Sequence, residues 1–229
     1  LKPDYPDAYY SLGNTLQQKG DIVAAIAAFN NSLALQPRNP KALNSLGNAL
    51  LQKGDSIGAT ATLRNALALA PDYPEAHNNL GNALQKQRDF NAAISSYTKA
   101  IALRPNYPEA YFNLGNAYKE MGEPDSAILA FSSAIRLRSD FPEAYNAAGN
   151  ALQEKGDLSA AIASYNTALK LRKDYPDALN SLGNALLEDG NLDAAVNSYE
   201  AALSFRPDCP DANWNISAAM FLAGDYRMG

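Results

Sequence analysis

Residues 74–83 read PEAHNNLGNA and residues 108–117 read PEAYFNLGNA. The same wording stands at 6–15 as PDAYYSLGNT, at 40–49 as PKALNSLGNA, at 142–151 as PEAYNAAGNA and at 176–185 as PDALNSLGNA. A degraded copy, PDANWNISAA, begins at Pro210. Each start follows the last by 34 residues, with no insertion. A fixed period of this length marks an array of supersecondary units, none of which buries its apolar face alone. With Pro6 as position 1, the repeats run 6–39, 40–73, 74–107, 108–141, 142–175 and 176–209. Residues 1–5 read as the end of an earlier repeat and 210–229 as a partial seventh, so the chain is expected to be a piece of a longer array.

The signals inside one repeat predict two helices. In residues 6–39, Pro6 suits a first helical turn, where its missing N–H costs nothing, and Asp7 complements the positive end of the dipole. Tyr9, Leu12, Gly13 and Leu16 recur at helical spacing, and Gly20-Asp21 stops the run. Ala25, Ile26, Phe29, Ser32 and Leu33 form the stripe of a second helix, which Pro37 ends. Position 8 is always glycine (Gly13, Gly47, Gly81, Gly115, Gly149, Gly183) and position 20 always alanine (Ala25, Ala59, Ala93, Ala127, Ala161, Ala195). Position 24 is large: Phe29, Leu63, Tyr97, Phe131, Tyr165, Tyr199. Small against large at fixed spacing predicts a tightly interdigitated seam. Arg88 breaks the position-15 glycine row, and Gly58, Thr60 and Thr62 weaken the second helix of repeat 2. Cations at position 31 (Lys2, Arg104, Arg138, Arg172, Arg206) read as partners of helix C-termini first and as an anion site second.

Composition narrows the function. The net charge is −5, which disfavours a phosphate-binding surface, so no nucleic-acid partner is expected. No run approaches the length of apolar chain a membrane span needs. One cysteine, Cys209, excludes an internal disulfide framework, and it reads as a packed thiol rather than a nucleophile. The one histidine, His77, sits in a mostly aromatic or leucine row and reads as packing. There is no Cys/His cluster for a metal, no phosphate-cradling loop and no nucleophile elbow, so neither a catalytic residue nor a cofactor is expected.

These residues resemble tetratricopeptide (TPR) repeats, whose signature runs W-x₂-L-G-x₂-Y, then A-x₃-F, then P. The resemblance covers the whole chain. It implies an all-α right-handed superhelix, an α-solenoid of antiparallel helix pairs, working as an intracellular (cytoplasmic) scaffold that binds a protein or peptide in its concave groove. The wording PDAYxxLGNALxxxG is most similar to the long arrays of O-linked N-acetylglucosamine transferases and related bacterial proteins. That similarity implies the alternative function, a substrate-recognition arm of a glycosyltransferase whose catalytic domain lies elsewhere.

On the first helix, positions 2, 5, 6, 9, 12 and 13 share the side away from the packed stripe, which in the family lines the groove. Position 9 is Asn14, Asn48, Asn82, Asn116, Asn150 and Asn184. Asn79 and Asn113 stand at position 6, the place of the asparagine ladder in the similar transferase arrays, beside Asn44, Asn78, Asn146 and Asn180 at position 5. An amide both donates and accepts, so a row of them matches a peptide backbone without reading its side chains. The six position-9 asparagines, with Asn79 and Asn113, are the candidate peptide-binding residues. The alternative is that each position-9 amide bonds to a neighbouring repeat and only holds the stack. Position 2 is acidic in every complete repeat but the second, which argues against a partner presenting a carboxylate terminus. In the partial repeat the polar face becomes apolar at Trp214, Phe221 and Leu222, a candidate docking patch and a candidate route to end-to-end self-association.

Overall fold

The computed structural model describes residues 5–208 and 213–218; Cys209, Phe221 and Leu222 lie outside them. The described residues form helices and connecting turns, with no strand among them. The chain divides into two compact units, residues 1–117 and 118–229. The first holds α1 (Pro6–Gln18), α2 (Ile22–Leu35), α3 (Pro40–Lys53), α4 (Ser56–Leu69), α5 (Pro74–Lys86), α6 (Phe90–Leu103) and most of α7 (Pro108–Glu120). The second holds α8 (Pro124–Leu137), α9 (Pro142–Glu154), α10 (Leu158–Leu171), α11 (Pro176–Glu188) and α12 (Leu192–Phe205), with 213–218 again helical.

Each unit is a stack of helix pairs. α1 packs on α2, α3 on α4 and α5 on α6, while α2 packs on α3 and α4 on α5. The first helices also touch one another, α1 with α3 and α3 with α5. In the second unit α9 pairs with α10 and α11 with α12, and α9 meets α11. This is the expected all-α helix-pair solenoid.

Local chemistry fixes the boundaries. Every first helix opens on proline. The second helices of repeats 1, 2, 3, 5 and 6 open on a side-chain cap: Asp21, Asp55, Asp89, Asp157 and Asn191 accept from the backbone N–H three residues on, at 2.8–3.4 Å. The turn after the first helix contains a left-handed residue, φ 74 to 90° at Gly20, Gly54, Gly122, Gly156 and Gly190. Arg88 adopts the same turn at φ 63°, where a side chain costs about 1 kcal/mol. The weak composition of α4 does not shorten it. Gln87 of the next repeat donates to Ser56 O and Thr60 Oγ1, at 2.9 and 2.7 Å, and pins its first turn.

The seam is built as the spacing predicts. Tyr97, Tyr165, Tyr199, Phe29, Phe131 and Leu63 are the largest fully buried side chains, one per repeat at position 24. The position-20 alanines are all fully buried as well. A Cβ added at Gly13 would sit 2.5 Å from the Phe29 ring, and one at Gly47 2.6 Å from Leu63 Cγ; against Tyr97 and Tyr199 the gap would be smaller still. Glycine at position 8 is therefore what lets the large residue of the second helix lie on the first.

The position-31 arginines are not waiting for an anion. Arg104 pairs with Glu75, Arg172 with Glu143, and Arg206 Nη1 with Asp177 Oδ1 at 2.8 Å, each joining the end of a second helix to the start of its own first helix. The guanidinium carbons of Arg104, Arg138 and Arg172 also stand 4.9, 3.8 and 4.7 Å from the ring centroids of Tyr107, Phe141 and Tyr175. Burial pushes the Glu143 carboxyl up, but the hydrogen bond and charge of Arg172 outweigh it and hold the group below its usual range. Three of the position-2 acids thus carry their own counter-charge, which weakens the acidic rim expected from sequence.

Candidate functional site

All six position-9 asparagines are half-buried. What they bond to depends on position 24, fifteen residues on. Where that residue is tyrosine, its phenol donates to the asparagine: Tyr97 to Asn82, Tyr165 to Asn150 and Tyr199 to Asn184, each with Oη–Oδ1 at 2.8 Å. The Tyr97 and Tyr165 phenols also lie 2.8 and 3.0 Å from Oε1 of Gln85 and Gln153 at position 12. A phenol has one proton, so it serves one of these acceptors at a time. Burial raises the phenol of Tyr199 to about 12 and pushes those of Tyr97 and Tyr165 higher, so all three stay protonated donors at neutral pH. The amide oxygen is turned inward and spent, while the NH₂ of Asn82 and of Asn150 bonds to no other described residue. Neither sequence alternative foresaw a bond inside the repeat, between its two helices. At Asn184 both occur, because Asn215 Nδ2 of the following repeat also donates to it at 2.9 Å.

Repeats 1 and 2 have no phenol at this place. Phe29 and Leu63 fill the seam with hydrocarbon, and Asn14 and Asn48 hydrogen-bond to no other described residue. Beside them Gln17 Nε2 donates to Gln52 Oε1 at 3.1 Å. Asn14, Gln17, Gln18, Asn48 and Gln52 together line a concavity of about 410 Å³. Every lining side chain is a carboxamide.

Asn79 and Asn113 lie elsewhere and do something else. Asn79 Nδ2 donates to Asn44 Oδ1 at 2.9 Å, and Asn113 Nδ2 to Asn78 Oδ1 at 3.0 Å. Asn215 repeats the link to Asn180 at 3.2 Å. The position-6 amide of one repeat is tied to the position-5 amide of the repeat before it. The inter-repeat role weighed for position 9 is thus filled at positions 5 and 6, and at position 9 itself by Asn184. Of the docking patch only Trp214 is described. It is 77 % exposed, while its neighbour Ile216 packs on the cluster around Ala195 and Tyr199.

Two features escaped the sequence reading. One is the position-24 phenol as partner of position 9, which was legible only as a Tyr/Phe/Leu alternation in a core row. The other is the position-12 to position-13 link, seen in Gln17–Gln52 and again in Gln153 Nε2 to Glu188 Oε2 at 3.0 Å. Among the described residues no group of His, Cys, Asp and Glu could hold a metal ion, and no helix is long and apolar enough to cross a membrane.

Helix pairs of fixed length, stacked within each unit and carrying an asparagine at the same place on every first helix, define a repeat scaffold. A family model described as TPR repeat matches residues 14–54, 52–88, 89–122, 115–156, 149–190 and 183–224, and the chain belongs to that family. Among solved structures it is similar to the protein MamA, with 32 % identity over 74 % of this chain and 92 % of that one, at a TM-score of 0.64. It shares its fold with pilF from Pseudomonas aeruginosa, at 20 % identity over 93 % and 97 % of the two chains and a TM-score of 0.81. It also shares the fold of YrrB, described as a TPR protein with an unusual peptide-binding site, at 20 % identity over 82 % and 96 % and a TM-score of 0.66. No curated protein matches the chain.

Proposed function

We propose that this protein is a non-catalytic, cytoplasmic scaffold that holds an extended peptide, or an extended segment of a partner protein, along the amide face of its first helices. The observation that carries the reading is the position-9 row itself. Six half-buried asparagines recur once per repeat, and where the oxygen is spent on a phenol the NH₂ group stays uncommitted. Donors at the repeat spacing suit the carbonyls of an extended chain and read little of its side chains. Asn79 and Asn113 contribute through the proton they do not donate to Asn44 and Asn78. YrrB's described peptide-binding site supports the class of ligand only.

The test is binding of pooled random-sequence peptides to Asn82→Ala/Asn116→Ala/Asn150→Ala. Each lost amide should cost about 0.5–1.5 kcal/mol of binding, spread evenly over peptide sequences. A variant that melts normally and binds the pool as the parent does would end the reading. The glycosyltransferase-arm alternative rests on the wording of the repeats and on Asn79 and Asn113, and has less behind it, because those amides already link repeats. End-to-end association through the exposed Trp214 belongs to the same proposal. Sedimentation of Trp214→Ala against the parent tests it.

A further inference from the structure

Five side chains line the concavity between α1 and α3, and none is charged. Asn14, Gln17, Gln18, Asn48 and Gln52 are all primary carboxamides. The equivalent place one unit on is different. Repeats 5 and 6 carry Glu154 and Glu188 where repeats 1 and 2 carry Gln18 and Gln52. There the Gln153–Glu188 bond repeats the Gln17–Gln52 bond with a carboxylate as acceptor. Asn150 and Asn184 have given their oxygens to Tyr165 and Tyr199, whereas the repeats of Asn14 and Asn48 carry Phe29 and Leu63 at position 24, which have no hydroxyl to donate, and these asparagines keep theirs. The amides of repeats 1 and 2 can therefore donate and accept at once.

We infer that this pocket is a recognition site for a primary carboxamide, the side chain of a glutamine or asparagine in the bound chain, and that the hydrocarbon at Phe29 and Leu63 is what keeps it competent. The inference rests on the peptide-binding reading above and adds a specificity to it. A primary amide meets another primary amide through two antiparallel hydrogen bonds, N–H to O in each direction. Only a host amide with both ends available completes that pair. A carboxylate entering the pocket would use the NH₂ groups alone and stand against the amide oxygens. An ammonium would do the reverse. Neither would meet a counter-charge among the lining residues, so each would bear its desolvation unpaired. An apolar side chain would leave the lining amides without the water it displaced.

The position-24 residue acts here as a positioning group through Asn14 and Asn48. Phe29 lies on Gly13 with the same ring atoms that Tyr97 places on Gly81. A hydroxyl added to Phe29 would therefore fall where the Tyr97 phenol falls, within reach of the asparagine oxygen. Phe29→Tyr should convert repeat 1 into the committed form without disturbing the seam.

The experiment is a nuclear magnetic resonance titration of the full chain, following the side-chain NH₂ signals of Asn14, Gln17, Asn48 and Gln52. The probes are short alanine–serine peptides, capped at both ends, with one central glutamine, glutamate, lysine or leucine. The glutamine peptide should shift these signals and bind about fivefold more tightly than the other three, the worth of one additional neutral hydrogen bond. Phe29→Tyr should remove most of that preference while raising the melting temperature, a pair of effects that simple damage to the fold would not produce. Should Phe29→Tyr fail to fold, Gln17→Ala/Asn48→Ala should abolish the preference for glutamine over leucine. Equal binding of all four peptides, with the signals moving, would overturn the carboxamide site and leave the backbone reading standing. No movement with any peptide would overturn the carboxamide site, and would sink the backbone reading too if the triple variant of repeats 3 to 5 also bound like its parent.

Discussion

Asn14 and Asn82 hold the same position in two repeats of one chain, with the same helix around them and the same degree of burial. Asn82 is fixed by the Tyr97 phenol and presents one chemical face outward; Asn14, in a repeat whose position-24 residue is Phe29, has no phenol to bond and presents two. The difference is a single oxygen on a core residue fifteen positions away. An amide in a solenoid face is therefore not defined by where it points. It is defined by what the opposite helix leaves it free to do. Repeats 3, 5 and 6 are of the committed kind and repeats 1 and 2 of the open kind.

The largest consequence is expected at alkaline pH. Burial raises the pKa of the Tyr97, Tyr165 and Tyr199 phenols above the ordinary 10.0, so folding favours the protonated form. The stability this contributes is fully present below the unfolded value of 10.0 and is lost as pH rises through it towards the folded values. Tyrosinate absorbance and circular dichroism should change together there, and Tyr97→Phe/Tyr165→Phe/Tyr199→Phe should move the transition to higher pH. A transition that ignores the three substitutions would remove the buried phenols from the comparison.

Gly81→Ala and Gly47→Ala sharpen it by packing. Both push a methyl group into the position-24 side chain, but the Tyr97 ring is held by its hydrogen bonds, while Leu63 has rotamers to spare. Urea melts should show Gly81→Ala losing about 1–3 kcal/mol and Gly47→Ala clearly less. Equal losses would mean the phenol does not anchor the ring.

Removing acceptors gives the next effect down. Asn82→Ala/Gln85→Ala leaves the Tyr97 hydroxyl buried without a partner and should cost about 1–3 kcal/mol. Asn14→Ala/Gln17→Ala strands no buried group and should leave the melting midpoint within about 0.5 kcal/mol of the parent, since alanine is the better helix former. The contrast between repeats 1 and 3 fails if the two doubles melt alike.

Ser32 offers a small effect of opposite sign. Its hydroxyl is fully buried without a hydrogen-bond partner, at a place where the other complete repeats carry alanine. Ser32→Ala should stabilise the open repeat by about 1 kcal/mol, read as a higher melting temperature.

Most of the fold was legible because one constraint is stated six times over. Glycine at position 8, alanine at 20 and a large residue at 24 are each a packing statement, and the structure closes them against one another. The face was less legible. Six asparagines in register looked like one device, yet the sequence does not say that a phenol on the facing helix reaches three of them, because Tyr and Phe serve the seam equally well. Position 31 was legible as structural, but its partners were not. Helix-end cations explain themselves by the dipole, and only the fold brings Arg104, Arg172 and Arg206 onto acids 29 residues back. The asparagines of positions 5 and 6 pair at a separation of 35, one more than the period, a spacing that points to nothing until neighbouring first helices are seen to touch.

That separation bears on how such a chain grows. Asn79 with Asn44, Asn113 with Asn78 and Asn215 with Asn180 are one joint used three times. A recombination event that copies a whole repeat delivers a position-6 asparagine to a position-5 asparagine wherever repeats bearing them become neighbours. Slippage by one residue within a joint's span changes its separation and brings the wrong side chain to that joint. The gene thus carries a second frame above that of its codons, one that whole-repeat gains and losses leave in step. The array can lengthen or shorten by tandem duplication while each joint stays as it was.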